Sequence, residues 1–159
     1  MKIIIEGVDG TGKTTLANKL SKFTGFPIKH RSKPESEEEK KLMYKSYVKS
    51  IISGTDEIWD RCWYSEMVYG PIMRDQTYIG FREMYHLEKL LIQNGGGIII
   101  YCTDSLPLIW RRLKKRGENY ITSFFKLYQL HSSYKFIMEH NVHLLPVVKY
   151  ELSKNLYKL

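Results

Sequence analysis

The chain has 159 residues, the size of one domain with a single core. Its 43% hydrophobic and 26% charged residues are ordinary for a globular protein, and no run approaches the roughly 18 apolar residues of a membrane span. The formal net charge of +8 calls for an anionic partner, while the two cysteines lack metal-like spacing and no signal peptide precedes the first strand, which together predict reduced thiols in a cytoplasm.

The apolar run Ile3-Ile4-Ile5 reads as a buried parallel strand. Residues 7–15 follow it, Gly7-Val8-Asp9-Gly10-Thr11-Gly12-Lys13-Thr14-Thr15, and match the pattern G-x-x-x-x-G-K-[ST]. A helix comes next, with Leu16, Leu20 and Phe23 on its apolar side and Lys19 and Lys22 opposite. Strand, loop and helix in this order form a phosphate cradle. Glycines let successive backbone N–H groups turn toward phosphate, and the helix N-terminus adds partial positive charge. Lys13 then reaches the transferring phosphate and Thr14 faces Mg²⁺.

Residues 26–30 read as a second strand, and the charged stretch from Glu35 leads into a helix ending near Ser53, with Leu42, Met43, Tyr47 and Ile51 apolar. Glu57-Ile58-Trp59-Asp60 is a short third strand ending in a carboxylate. Residues 81–94 are helical on the stripe Met84, Leu87, Leu91 and stop at three glycines; residues 98–102 are the clearest buried strand. Leu106, Ile109, Trp110 and Leu113 form the next helical stripe, backed by the basic cluster Arg111, Arg112, Lys114, Lys115 and Arg116. A helix over 121–139 and a strand over 143–148 complete the chain. His131 falls on the apolar side of its helix and reads as a core histidine with a satisfied hydrogen bond. The alternation predicts an α/β fold, with a central parallel sheet of about five strands flanked by helices, in one domain over residues 1–159.

Several motifs carry a family resemblance. Glu6 with the loop over residues 7–15 resembles the phosphate loop of thymidylate kinases. Asp60-Arg61-Cys62-Trp63-Tyr64-Ser65, continuing to Tyr69-Gly70, is similar to the segment that thymidylate and deoxynucleoside kinases carry after their third strand. Leu130-His131-Ser132-Ser133-Tyr134 is similar to the helix following the lid in deoxynucleoside kinases. The resemblance implies a three-layer P-loop kinase fold and ATP-dependent phosphoryl transfer with Mg²⁺, most directly from ATP to dTMP. By that resemblance Asp9 contacts the acceptor sugar, and Arg112 and Arg116 occupy the place of lid arginines. A homodimer is also implied.

The residues themselves suggest the remaining roles. Asp60, at the carboxyl end of a strand, would hold Mg²⁺ with Thr14. Arg61 would bridge donor and acceptor phosphates and stabilise charge on the transferred group. Trp63 and Tyr69 are candidates to stack on the acceptor base, and Arg74, in a Pro-containing loop, to bind the acceptor phosphate. After the second strand the order Lys29, His30, Arg31, Lys33 puts basic residues ahead of the carboxylate Glu35, which favours an anionic acceptor over a neutral hydroxyl needing a base. Two other readings stay open: a kinase of this fold acting on a free deoxynucleoside or on a nucleic-acid hydroxyl, and a nucleotide-binding regulatory protein without transfer activity.

Overall fold

The computed structural model describes residues 1–31, 34, 36–140 and 142–155. Among them, β1 (Lys2–Glu6), β2 (Ile28–His30), β3 (Glu57–Asp60), β4 (Gly97–Thr103) and β5 (Val147–Glu151) form one sheet in the order β2-β3-β1-β4-β5. Every pairing is parallel, with Ile5 opposite Asp60 on one side and Ile100 on the other. A parallel sheet needs crossover helices and is covered on both faces, which is why β1 carries the run Ile3-Ile4-Ile5 and is buried at all five positions.

The helices are α1 (Lys13–Thr24), α2 (Glu37–Ile52), α3 (Trp63–Arg74), α4 (Phe81–Gln93), α5 (Leu106–Lys115), α6 (Phe124–Glu139) and α7 (Leu152–Asn155). The core divides about the sheet. Ile4, Trp59 and Ile99 point to one side and join Trp63, Met84, Leu87, Ile109 and Leu130. Ile3, Ile5 and Ile58 point to the other and meet Leu16 and Ala17 of α1. The predicted stripe of α4 is fully buried, and it also carries Glu88, which accepts from the Tyr64 hydroxyl at 2.5 Å and from the Leu144 N–H. Burial pushes the Glu88 carboxyl up.

Several expectations shift. Phe23 is 90% exposed: α1 covers the sheet with Leu16 and Ala17 near its start, and Phe23 lies in its last turn, just before the Gly25 cap. The last strand lies at Val147–Glu151, later than read from the sequence. Residues 63–74, not assigned from the sequence, are helical, so Arg74 lies at the end of α3, and Pro71 sits inside that helix. The α2 helix starts at Glu37 with Ser36 capping the Glu39 N–H; Lys33 and Glu35 lie outside the described residues. Both cysteines are free and buried, and burial holds their thiols up, Cys102 at about 12. Among the described residues no helix is long and apolar enough to cross a membrane.

Candidate active site at the carboxyl edge of the sheet

Parallel strands all end on one edge, and β1, β3 and β4 deliver Glu6, Asp60 and Asp104 there. The loop over residues 7–15 leaves β1 at Gly7, whose φ is 142° and where a Cβ would lie 2.0 Å from the Cys102 carbonyl oxygen. Only glycine lets the backbone pass β4 so closely. Gly10 and Gly12 also have positive φ, and the Thr11 hydroxyl donates to the Val8 carbonyl at 2.7 Å. The loop is thus tied to itself through Val8 and opens into α1.

Lys13 is buried. Its ammonium donates to the same Val8 carbonyl at 2.9 Å and lies 3.6 Å from Asp9 Oδ1. Burial and the Arg61 charge lower its pKa against the opposing pull of Asp9, Glu6 and Asp60. Asp9 is held by Lys13, by the Arg61 guanidinium and by the Tyr69 hydroxyl at 2.9 Å. Burial raises the Asp9 carboxyl, but these partners outweigh it and the net shift is downward. Burial and the Asp9 charge push the Tyr69 phenol up, so Tyr69 stays a donor.

Arg61 carries the least usual backbone in the site, a φ of 75° in a residue with a side chain. Such a conformation costs about 1–3 kcal/mol and persists only where the surroundings hold it. Its N–H bonds the Ile5 carbonyl at 3.1 Å, and its guanidinium lies 5.3 Å from the Tyr69 ring centre. The next helix fixes the turn. Cys62 offers α3 no side-chain cap, and Glu6 caps it from the end of β1 instead. The Glu6 carboxylate accepts from the N–H of Cys62 at 2.6 Å, from the Ser65 hydroxyl at 2.7 Å and from Tyr134 at 2.9 Å. A carboxylate at a helix N-terminus satisfies otherwise orphaned N–H groups and meets the positive end of the dipole. Sequence reasoning gave Glu6 no role of its own; an acid ending an otherwise apolar strand was the available signal.

A cavity of about 150 Å³ lies over the loop, lined by Lys13, Thr14, Asp60, Arg61 and, from beyond α5, Arg116 and Glu118. Thr15 also faces it, and the Thr14 hydroxyl donates to Asp60 Oδ2 at 3.2 Å. One hydroxyl and one carboxylate side by side suit Mg²⁺, which takes few protein oxygens and completes its shell with phosphate and water. His30 Nδ1 lies 3.0 Å from the same Asp60 oxygen, a partner not foreseen from sequence.

The structure separates the two arginines that the resemblance places in a lid. Arg116 lines the cavity, whereas Arg112 is turned onto Asp104 Oδ2 at 2.8 Å and the Gly10 carbonyl at 3.3 Å. Asp104 was also missed. It accepts from the Ser153 N–H at 3.0 Å and hydroxyl at 2.7 Å, tying α7 to α5, while Leu152 packs over Gly12. Burial works against the Asp104 charge, yet Ser153 and Arg112 hold its carboxyl below the usual range.

A second cavity of about 200 Å³ adjoins the first, sharing Asp9 and Arg61, and is further lined by Arg31, Glu66, Tyr69 and Arg74. Tyr120, from the segment after α5, also lines it, its ring 6.2 Å from that of Tyr69 and 20° from parallel. Trp63 does not join this group. It is wholly buried, edge-on to Tyr47 at 5.2 Å and Trp59 at 5.9 Å, because the first turn of α3 faces the core. Lys29 points the other way, to Glu57 Oε1 at 2.6 Å near the amino edge of the sheet. His131 is half-buried and bonds Thr103 Oγ1 at 3.1 Å; burial lowers its pKa.

A parallel sheet with order 2-3-1-4-5, a phosphate cradle after its central strand and a carboxylate and arginine after the neighbouring strand define a P-loop phosphotransferase. The chain belongs to the polyphosphate kinase 2 (PPK2) family, which it matches over residues 1–132, and it is a nucleotide kinase. It is 29% identical to the SPbeta prophage-derived uncharacterized protein YorR of Bacillus subtilis over 119 residues, 75% of this chain and 71% of that protein. The crystal structure of YorR in complex with phosphorylated GDP superposes with a TM-score of 0.81 at 24% identity, covering 97% of this chain and 87% of the other. Deoxyadenosine kinase from M. mycoides with bound dCTP gives a TM-score of 0.61 at 21% identity, with 96% and 91% covered. These likenesses bear out the three-layer fold.

Proposed function

We propose that this chain is a nucleoside monophosphate kinase that moves the γ-phosphoryl group of ATP onto a monophosphate acceptor, with Mg²⁺. One observation carries the reading: the two cavities meet at Asp9 and Arg61, so a donor in the phosphate cradle and an acceptor in the second cavity share one arginine. Phosphoryl transfer is mainly positioning and electrostatic stabilisation, and Arg61 stands where charge moves from one ligand to the other. Lys13 takes the β- and γ-phosphates once they displace the Val8 carbonyl. Thr14 and Asp60 hold Mg²⁺, which neutralises phosphate charge, and Arg116 closes from the lid side. Asp9 is placed to accept from an acceptor sugar hydroxyl.

Arg31 supports an anionic acceptor. Its guanidinium donates to Ser46 Oγ at 3.0 Å and Ser50 Oγ at 2.5 Å and lies over the Tyr47 and Trp59 rings at 4.9 and 5.0 Å; among the described residues no carboxylate matches its charge, which is left for a ligand. The thymidylate-kinase-like loop names dTMP as that ligand; the polar end of the cavity supports another base, argued below. Family membership favours a second reading of the donor, inorganic polyphosphate, and the exposed Lys114, Lys115 and Arg116 suit a polyanion. Assay of ATP and polyphosphate with MgCl₂ against a panel of monophosphates, nucleosides and a 5′-hydroxyl oligonucleotide tests the proposal. Transfer to monophosphates is expected, and transfer confined to nucleosides or the oligonucleotide would overturn it.

A further inference from the structure

The second cavity holds two arginines whose partners differ, and that difference separates the two ends of its ligand. Arg31 is held by hydroxyls and by the Tyr47 and Trp59 rings, and among the described residues no carboxylate offsets its charge. Arg74 donates to Glu66 Oε2 at 2.5 Å in an ion pair whose side chains are 23% and 6% exposed. An arginine already matched by a buried carboxylate has little left for a phosphate. It has a directional donor left: Arg74 Nε, like Arg31 Nε, is buried without a hydrogen-bond partner, but only Arg74 has a carboxylate beside it among the described residues. Beside it, Glu66 Oε1 takes a long bond of 3.4 Å from the Tyr78 N–H. The pair therefore offers one N–H donor next to carboxylate lone pairs, a neutral polar edge rather than a cation. The near-parallel rings of Tyr69 and Tyr120 line the same cavity and suit a flat heterocycle.

We infer that Glu66 and Arg74 read the base of the acceptor, and that the base is guanine; this rests on the nucleotide-acceptor reading above. A carboxylate only accepts hydrogen bonds. Among the common bases guanine alone presents two adjacent N–H donors, at N1 and the 2-amino group, and its O6 lies beside them for Arg74 Nε. Thymine and uracil place their single N–H between two carbonyls, so an oxygen would face the Glu66 oxygens. Adenine and cytosine place a ring lone pair beside their amino group, with the same conflict. A site whose buried polar groups go unpaired rejects the wrong ligand steeply. Guanine thus replaces the thymine that the loop motif implies.

The test measures kcat/KM for GMP, dGMP, dAMP, dCMP and dTMP, with calorimetric binding of the same nucleotides. A guanine monophosphate should lead by about 10- to 100-fold, the discrimination given by one good bidentate contact. Glu66→Gln should reduce that lead at least tenfold with the KM for ATP unchanged. The double variant Glu66→Gln/Arg74→Gln, which leaves no orphaned buried charge, should do the same and guards against a folding defect in the single one. A lead for dTMP, dCMP or dAMP, or an undiminished guanine lead in the folded double variant, would overturn the inference while leaving the monophosphate reading intact. Selective guanine-nucleotide binding without transfer would uphold the base assignment and sink the kinase reading. Binding of none of the five would sink both.

Discussion

At the scale of single residues, the site is a set of charges whose present partners must be exchanged for ligand. Lys13 is held by a neutral carbonyl and a carboxylate 3.6 Å away, both weaker partners than a triphosphate. Lys13→Ala should therefore cut kcat by at least about 100-fold, the scale of one preorganised electrostatic contact, with the melting temperature little changed. Near-wild-type transfer by the folded variant would remove Lys13 from the mechanism. Arg61 allows a sharper separation of function from stability. Its φ of 75° is glycine-like, so Arg61→Gly relieves backbone strain that Arg61→Ala keeps. Arg61→Gly should be about 1 kcal/mol more stable than Arg61→Ala in denaturant titration, while both lose about 2–4 kcal/mol of transition-state stabilisation. A glycine variant that keeps full kcat would show that the arginine is structural. Lys13, Thr14, Asp60 and Arg61 were legible because short spacing ties them to one loop or strand end. Asp104 and Glu6 were not, since their partners Ser153 and Tyr134 stand 49 and 128 residues away.

At the scale of elements, the same contrast explains what the sequence showed of the helices. The α4 stripe declared itself by periodicity, and all three of its predicted positions are buried. The α3 helix did not. It carries Gly70 and Pro71, buries Trp63 and Tyr64 in its first turn and takes its cap from another element, so local propensity and local capping both argue against it. The amino edge of the sheet is pinned by a buried pair, Lys2 to Glu57 at 3.0 Å, with Lys29 and the Trp59 indole also bonded to Glu57. Burial raises the Glu57 carboxyl, but Lys29, Trp59 and Lys2 overcome it and bring it down to about 2. A folded-state value below the unfolded one stabilises the protein above the unfolded value, and that contribution fades as pH falls toward the folded value. The window is therefore pH 4.5 to about 2, and the contribution above it is of the order of 3 kcal/mol at most. Glu57→Gln should flatten the loss of stability across this window and lower stability at pH 7, where Lys2 is left unpaired. An unchanged pH slope in chemical denaturation would show that Glu57 titrates normally.

At the scale of the whole molecule, the net charge of +8 suggests a polyanionic acceptor, but the placement of the charges argues for a small one. In the second cavity Arg61 is matched by Asp9 and Arg74 by Glu66, whereas among the described residues Arg31 is held by the Ser46 and Ser50 hydroxyls and the Tyr47 and Trp59 rings, with no carboxylate on its guanidinium. A polymer would need a row of uncompensated cations along its backbone, whereas one such arginine suits a single phosphate. The segment after α5 reaches both cavities, Arg116 lining the first and Tyr120 the second, so on the proposed reading its closure would enclose two small ligands together. Salt dependence reads this difference directly. Affinity for duplex nucleic acid falls with a log–log slope of about −0.9 per phosphate neutralised, so six contacts would lose about a thousandfold between 50 and 200 mM salt. A monophosphate engaging one or two cations should lose no more than about tenfold in kcat/KM over the same range. Steeply salt-dependent transfer to an oligonucleotide, with none to any monophosphate, would place the acceptor outside the second cavity and return the surface charge to the centre of the mechanism.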